Sequence, residues 1–439
     1  MGRFVNPDSS AFQVALNSRI YVDKTGLIEY TNSVLDTTNA YICNSRPRRF
    51  GKSYAANMLA AYYSKGADSG QMFSGLKISK DADFRKHLNK YDVIHIDIQW
   101  FLANCEDADK VVSFITKGVL DELRDIYPEV LSQDVVTLPD ALSRVKERTG
   151  QKFVVIIDEW DVIIRDGTIT DTIQDEYLNF LREMFKGVEP TKYIQLAYLT
   201  GILPIKKEKA QSAVNNLDEF TMLQADELAP YSGFTEDEVK DLCETYNRDF
   251  DKIKKWYDGY LLNGYQVYNP KAVVSVMTKG RFRSYWSETG SYEVVVPLIC
   301  MNYDGLKNAI IEMLSGSEVK VDTATFKNDP AKIQNRDDVI TYLIHLGYLG
   351  YNEDNETAFV PNEEIRQELI TAVRSSNWDE VIALELKWNK DTETAIQQIK
   401  NKRYSESVFN YTGDILLVGI NYDTHSKAHQ CLIEKYRKN

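Results

Sequence analysis

Residues 40–53 read Ala40-Tyr-Ile-Cys-Asn-Ser-Arg-Pro-Arg-Arg-Phe-Gly-Lys-Ser53. Ala40 to Asn44 is a short apolar run with the composition of a strand, and Gly51 to Ser64 has the composition of a helix. Between them lies a basic turn ending in Gly51, Lys52 and Ser53. A phosphate-binding loop needs backbone N–H groups converging at a helix start, a Lys for the terminal phosphates and a hydroxyl for Mg²⁺. The last three residues supply the end of that arrangement. The full pattern asks for a glycine where this chain has Arg46. Gly-Lys-Ser recurs by chance, so the bland alternative is a helix start behind a basic turn.

A second stretch strengthens the phosphate reading. Phe153-Val-Val-Ile-Ile157 is a continuous apolar run, as expected of a strand buried on both faces, and it ends in Asp158 and Glu159. A nucleotide-hydrolysing loop needs a carboxylate near Mg²⁺ and a base that orients water. Asp158 fits the first role and Glu159 the second. Further strands are expected at 91–98 and 193–200, with helices over 106–126, 139–149 and 171–187. Strands alternating with helices predict an α/β fold with a parallel sheet flanked by helices. The strand at 193–200 ends in Thr200, which is either a γ-phosphate sensor or a cap on the following turn.

The rest of the composition sets bounds. The chain has 439 residues, 43% hydrophobic and 27% charged, and a formal net charge of −13. That is the balance of an ordinary globular chain of two to four domains. No apolar run approaches the roughly 18 residues of a membrane span. The N-terminus has no apolar signal-peptide core, and the five cysteines are scattered, so a reducing, cytoplasmic setting is expected. An acidic chain does not coat DNA nonspecifically. Its main basic cluster is Arg46, Arg48, Arg49 and Lys52.

Tyr21-Val-Asp-Lys-Thr-Gly-Leu-Ile28, Ser45-Arg-Pro-Arg-Arg-Phe-Gly-Lys-Ser53, Ile157-Asp-Glu-Trp-Asp161, Leu199-Thr-Gly-Ile202 and Asn215-Asn-Leu217 together resemble the bacterial AAA-ATPase-like family of P-loop proteins. In that family Arg replaces the first loop glycine, so Arg46 is a shared departure. The resemblance implies ATP and Mg²⁺ as ligands. It implies a nucleotide site at Arg46, Arg48, Arg49, Phe50, Gly51, Lys52, Ser53 and Asp158, with metal contacts from Ser53 and Asp158. Lys52, Glu159 and Thr200 are the implied catalytic set. Three regions are expected: a P-loop ATPase domain over 1–224, a helical and winged-helix-like region over 225–375, and a nuclease-like piece over 376–439.

The resemblance also implies a C-terminal domain of the PD-(D/E)XK nuclease type. Glu385 and Lys387, two apart on a strand expected at 381–388, match its metal-binding and charge-stabilising pair. A helix is expected at 392–404 and further strands at 414–420 and 430–436. Asp379 and Glu380 lie too near Glu385 to occupy a separate strand carrying the first metal-binding Asp. The expectation is therefore a truncated, degenerate nuclease site. DNA cleavage lost in Glu385→Ala would overturn it. Residues 380–439 carry nine Lys or Arg against eight Asp or Glu, no steering field for DNA. His425 and His429 read as surface residues, and Trp256-Tyr-Asp-Gly-Tyr260 as core packing around a turn. The expected function is a Mg²⁺-dependent ATPase controlling its C-terminal regions. The alternatives are a nucleotide-dependent interaction module with little turnover and an ATPase-regulated DNA nuclease. A protein partner or self-association and nucleic acid stay open as partners; a membrane does not.

Overall fold

The first five described strands in chain order are β1 (Tyr41–Ser45), β2 (Asp92–Asp97), β3 (Phe153–Asp158), β4 (Ile194–Gly201) and β5 (Asp218–Phe220). They form one parallel sheet in the order β2-β3-β4-β1-β5. The architecture comes from a computed structural model, which describes residues 2–205, 216–286, 292–301, 303–375, 380–388, 393–394, 396–397, 414–423 and 429–436.

Alternation along the strands separates two apolar layers. Tyr41, Cys43, Ile94, Ile96, Phe153, Val155, Ile157, Ala197 and Leu199 pack with the helices Val111–Ile126, Leu138–Thr149 and Asp171–Phe185. Ile42, Val93, Val154, Ile156, Leu196 and Tyr198 pack on the other face with Ser10–Leu16, Gly26–Val34 and Lys52–Tyr63. A sheet covered on both faces explains the unbroken apolar run of β3. It also inserts β4 between the strand before the basic turn and the strand that ends in Asp158.

The next region is less purely helical than its composition implies. Beside the helices Glu236–Tyr246, Phe250–Tyr257 and Pro270–Lys279 it holds an antiparallel sheet of β6 (Phe234–Thr235), β7 (Tyr260–Leu262) and β8 (Tyr265–Tyr268), ordered β6-β8-β7. Asn263 and Gly264 join β7 to β8, both with positive φ (45° and 79°), which matches the twist a two-residue hairpin needs. Tyr257 and Tyr260 are buried in the core, and the chain turns at Gly259 (φ 111°). Farther on, the helices Leu306–Leu314 and Arg336–Leu346 accompany β9 (Val319–Lys320) and a hairpin of β10 (Gly350–Asn352) and β11 (Thr357–Phe359), which suits the winged-helix-like expectation for this region.

The last strands are β12 (Glu380–Trp388), β13 (Asp414–Tyr422) and β14 (His429–Tyr436), with β12 parallel and β14 antiparallel to β13. Val418 and Ile420 are buried in the same core as Ile310, Leu343 and Leu369, so β13 does not stand apart from the region before it. Most of the helix expected at 392–404, together with Asp379 and His425, lies outside the described residues. No described helix is long and apolar enough to cross a membrane. All five cysteines are unpaired.

Candidate functional site

The chain leaves β1 at Ser45 and enters the helix Lys52–Tyr63 through a loop with two left-handed residues, Arg49 (φ 70°) and Gly51 (φ 87°). Gly51 is the N-cap, a conformation that costs glycine nothing. The side chain of Lys52 folds back over the loop. Its Nζ donates to the Pro47 carbonyl at 3.1 Å and lies 3.7 Å from Glu159 Oε1. Burial pushes the Lys52 ammonium below its ordinary range, against the pull of Glu159, Asp161 and Asp158.

The carboxylates come from the end of β3. Thr200, on neighbouring β4, donates its hydroxyl to Asp158 Oδ1, and the Glu159 N–H donates to the same oxygen at 3.1 Å. The Glu159 N–H also reaches Thr200 Oγ1 at 3.3 Å. Glu159 has a left-handed backbone (φ 54°), a costly state for a non-glycine residue that tends to persist at functional sites. Its Oε2 accepts from Arg165 Nη2 at 3.0 Å. Burial raises the Glu159 carboxyl, while Lys52 and Arg165 oppose that.

A cavity of about 490 Å³ opens over the start of the Lys52 helix, within the roughly 300–1,000 Å³ of small-molecule sites. Arg49 to Ala55 and Glu159 line its polar end. Ile20, Tyr21 and Val22 supply apolar wall from the N-terminal segment, and Phe234, Pro270 and Val274 supply it from the region beyond the sheet.

The basic turn divides. Arg49, Phe50, Gly51, Lys52 and Ser53 line the cavity; Arg46, Arg48, Asp158 and Thr200 do not. The guanidinium of Arg46 is fully buried and donates through Nη1 to the carbonyls of Ser45 and Phe220, both at 2.9 Å. It ties the loop to β5 and does not reach the cavity over the helix start. Arg48 is exposed, with Tyr342 close enough to feel its charge. Arg49 lines the cavity yet donates through Nη1 to the Tyr285 carbonyl at 3.1 Å. Phe50 packs edge-on against Tyr260, with ring centroids 5.4 Å apart. Thr200 is buried against the acidic pair. Glu385 and Lys387 sit on β12 in register with Gly419 and Asn421, far along the chain from this site.

Residues 10–210 match the family model described as predicted AAA-ATPase. The matched segment contains the loop, Asp158, Glu159 and Thr200; it ends before the far wall of the cavity and before β12. A curated protein of Azotobacter chroococcum mcd 1, described as uncharacterized and lying in the vnfD 5′ region, is 27% identical over 289 residues. That alignment takes in 64% of this chain and 52% of the other, so the chain spans about half the length of this relative. Among solved structures, the Aeropyrum pernix ORC1 protein in complex with DNA overlaps 85% of this chain and 97% of its own, at TM-score 0.29 and 10% identity. AMPPCP-bound DnaA from Aquifex aeolicus overlaps 89% and 93%, at TM-score 0.31 and 11% identity.

Two parts of the site escape a motif search. The far wall joins Tyr21 to Pro270, a pairing only the folded chain creates. Arg165 carries a sequence hint, standing four residues after Asp161 on one helical turn, where its Nε reaches Asp161 Oδ2 at 2.7 Å.

Proposed function

We propose that this chain binds ATP in the 490 Å³ cavity and hydrolyses it. The observation that carries the reading is the convergence of Lys52, Glu159 and the start of the Lys52 helix on one cavity. The polar end suits phosphates, which a helix N-terminus and a buried ammonium both favour. The apolar end, between Ile20–Val22 and Pro270–Val274, suits a planar base. No group of three or more metal-ligating side chains occurs among the described residues. A Mg²⁺ ion would arrive with the nucleotide, since Mg²⁺ is commonly held by one or two carboxylates plus substrate phosphates. Ser53, on the cavity wall, would hold it, with Asp158 behind Glu159 as the carboxylate partner through water, and it would neutralise charge on the phosphates.

In this reading Lys52 leaves Glu159 for the terminal phosphates, and the carboxylate of Glu159 then orients and deprotonates the attacking water. Thr200 acts through Asp158 and Glu159 rather than on the phosphate. Nucleotide state reaches residues 225–375 through the loop itself, since Arg49 and Phe50 touch both the cavity and that region. The same contacts favour a second reading, a nucleotide-dependent interaction module with slow turnover and a protein partner. Nucleic acid is not proposed for the hairpin, whose turn carries Glu353, Asp354 and Glu356 and whose preceding helix is buried from Asp338 to His345. A cytoplasmic setting is proposed from the unpaired cysteines.

The test is ATP binding and Mg²⁺-dependent turnover in the wild type, Lys52→Ala and Glu159→Gln. Lys52→Ala is expected to lose binding. Glu159→Gln is expected to keep binding and lose roughly 10²–10⁴-fold in turnover. Binding without turnover in the wild type would favour the interaction module. Absence of binding would remove the assignment.

A further inference from the structure

Arg165 ends the short helix Val162–Arg165, one turn beyond Glu159. Its guanidinium is nearly buried and forks between two carboxylates. Nε donates to Asp161 Oδ2 at 2.7 Å, and Nη2 donates to Glu159 Oε2 at 3.0 Å. Asp161 is itself a fixed anchor. It has no exposed surface, and its Oδ2 also accepts from the N–H groups of Ile202 and Leu203 at 3.0 and 2.8 Å, where the chain leaves β4. The fork therefore transmits the position of the C-terminal end of the central strand β4 to one oxygen of Glu159. The other oxygen, Oε1, stays on the side of Lys52, 3.7 Å from its Nζ.

We propose that Arg165 is a positioning residue for Glu159. It holds Oε2, so that Oε1 faces the phosphate end of the cavity when Lys52 turns to the nucleotide. This deepens the ATPase reading and rests on it. Without that hold, the cation among the described residues that still acts on the carboxylate is Lys52. The carboxylate would swing onto the ammonium that the phosphates need and lose the aim at water. Lysine cannot replace the fork, because an ammonium is a single point of charge with no planar pair of donors.

The test compares the full-length wild type, Arg165→Ala, Arg165→Lys, Glu159→Gln and the double variant Glu159→Gln with Arg165→Ala. Steady-state ATP turnover is measured beside the affinity for a fluorescent ATP analogue. Arg165→Ala is expected to lower kcat roughly tenfold to a hundredfold, with KM and analogue affinity changed by less than about threefold. Arg165→Lys is expected to fall between the two. The double variant is expected to match Glu159→Gln alone, because a group that acts only by aiming Glu159 has nothing left to aim. Unchanged or faster turnover in Arg165→Ala would overturn the proposal. So would an equal further loss in the Glu159→Gln background, the mark of a merely structural pair. Should Arg165→Ala fail to fold, Arg165→Lys in both backgrounds carries the same comparison. A wild type that binds the analogue and does not hydrolyse ATP would sink the ATPase reading together with this one. A wild type that turns over while the Arg165 variants do likewise would sink this one alone.

Discussion

Gly51 shows how little space has to do with some glycine requirements. A Cβ added there would meet nothing within 4 Å, so the cavity itself would tolerate alanine. The obstacle is the backbone, held at φ 87° where an L side chain clashes with its own carbonyl. Gly51→Ala is expected to destabilise the protein by about 1–2 kcal/mol. Nucleotide affinity should fall as well, because the N–H groups at the helix start lose their convergence. Denaturant midpoints and analogue binding check both halves. A variant as stable as the wild type would mean that this loop relaxes without cost. Arg46 teaches the opposite lesson at the same scale. Its charge looks like a phosphate hand in the sequence, yet the fold spends it on the carbonyls of Ser45 and Phe220. A basic residue beside a phosphate loop has two outlets, ligand or backbone, and composition alone does not choose between them.

Among the elements, strands and helices around the sheet were legible because β-branched apolar runs buried on two faces have few other homes. Phe153-Val-Val-Ile-Ile157 was expected as a strand and is one, as are 91–98 and 193–200 in close approximation. The β7–β8 hairpin was just as legible through Asn263-Gly264 between Tyr260-Leu-Leu262 and Tyr265-Gln-Val-Tyr268. The helical reading of the region from residue 225 onward passes over it, since aromatic residues suit either element. The far wall of the cavity was not legible at all. It depends on tertiary placement of the helix Pro270–Lys279, whose N-cap Asn269 accepts from the N–H groups of Lys271 and Ala272. β8 is joined to the phosphate loop through Gly233, whose N–H donates to the Phe50 carbonyl at 2.8 Å. A Cβ on Gly233 would stand 2.4 Å from Val267 Cγ1 on β8, and the residue has φ 87°. Gly233→Ala is therefore expected to push β8 from the loop and cost about 2–3 kcal/mol, from strain and overpacking together. Thermal melts measure the loss. Hydrogen exchange at Phe50 to Ser53 should rise, and unchanged protection there would contradict the link.

Across the whole molecule, the phosphate loop is gripped from outside the sheet. Arg49 holds the Tyr285 carbonyl, Phe50 lies on Tyr260, and Tyr260 donates its hydroxyl to the Gly347 carbonyl at 2.6 Å. Behind Tyr285 sits Glu364, a buried carboxylate whose Oε1 accepts from the N–H groups of Tyr285 and Trp286 at 2.6 and 3.1 Å. Burial, helped by Glu368 and opposed by those N–H groups and by Arg49, raises its pKa from 4.5 to about 7. The native state thus binds a proton that the unfolded chain has released between these two values. Glu364 accordingly contributes its full share of stability below about pH 4.5. That share falls as pH rises to about 7, by up to about 3 kcal/mol. Glu364→Gln keeps an acceptor for both N–H groups and removes the titration. Its stability between pH 5 and 7.5, followed by denaturant unfolding, is expected to fall less steeply with pH than that of the wild type. Equal slopes would show that Glu364 stays ionised in the fold.

The apolar core that receives Phe50 also takes in Leu203 and Met222, all three from the sheet side of the molecule. Their partners, among them Leu262, Trp286 and Leu343, come from later in the chain. Cutting the polypeptide near residue 224 would strip these side chains bare and remove the second wall of the cavity. The fragment would be sticky, short of one side of its cavity, and a poor stand-in for the parent. For anyone dissecting this protein, the unit that can be purified and the unit that can be recognised from its motifs are different lengths of chain.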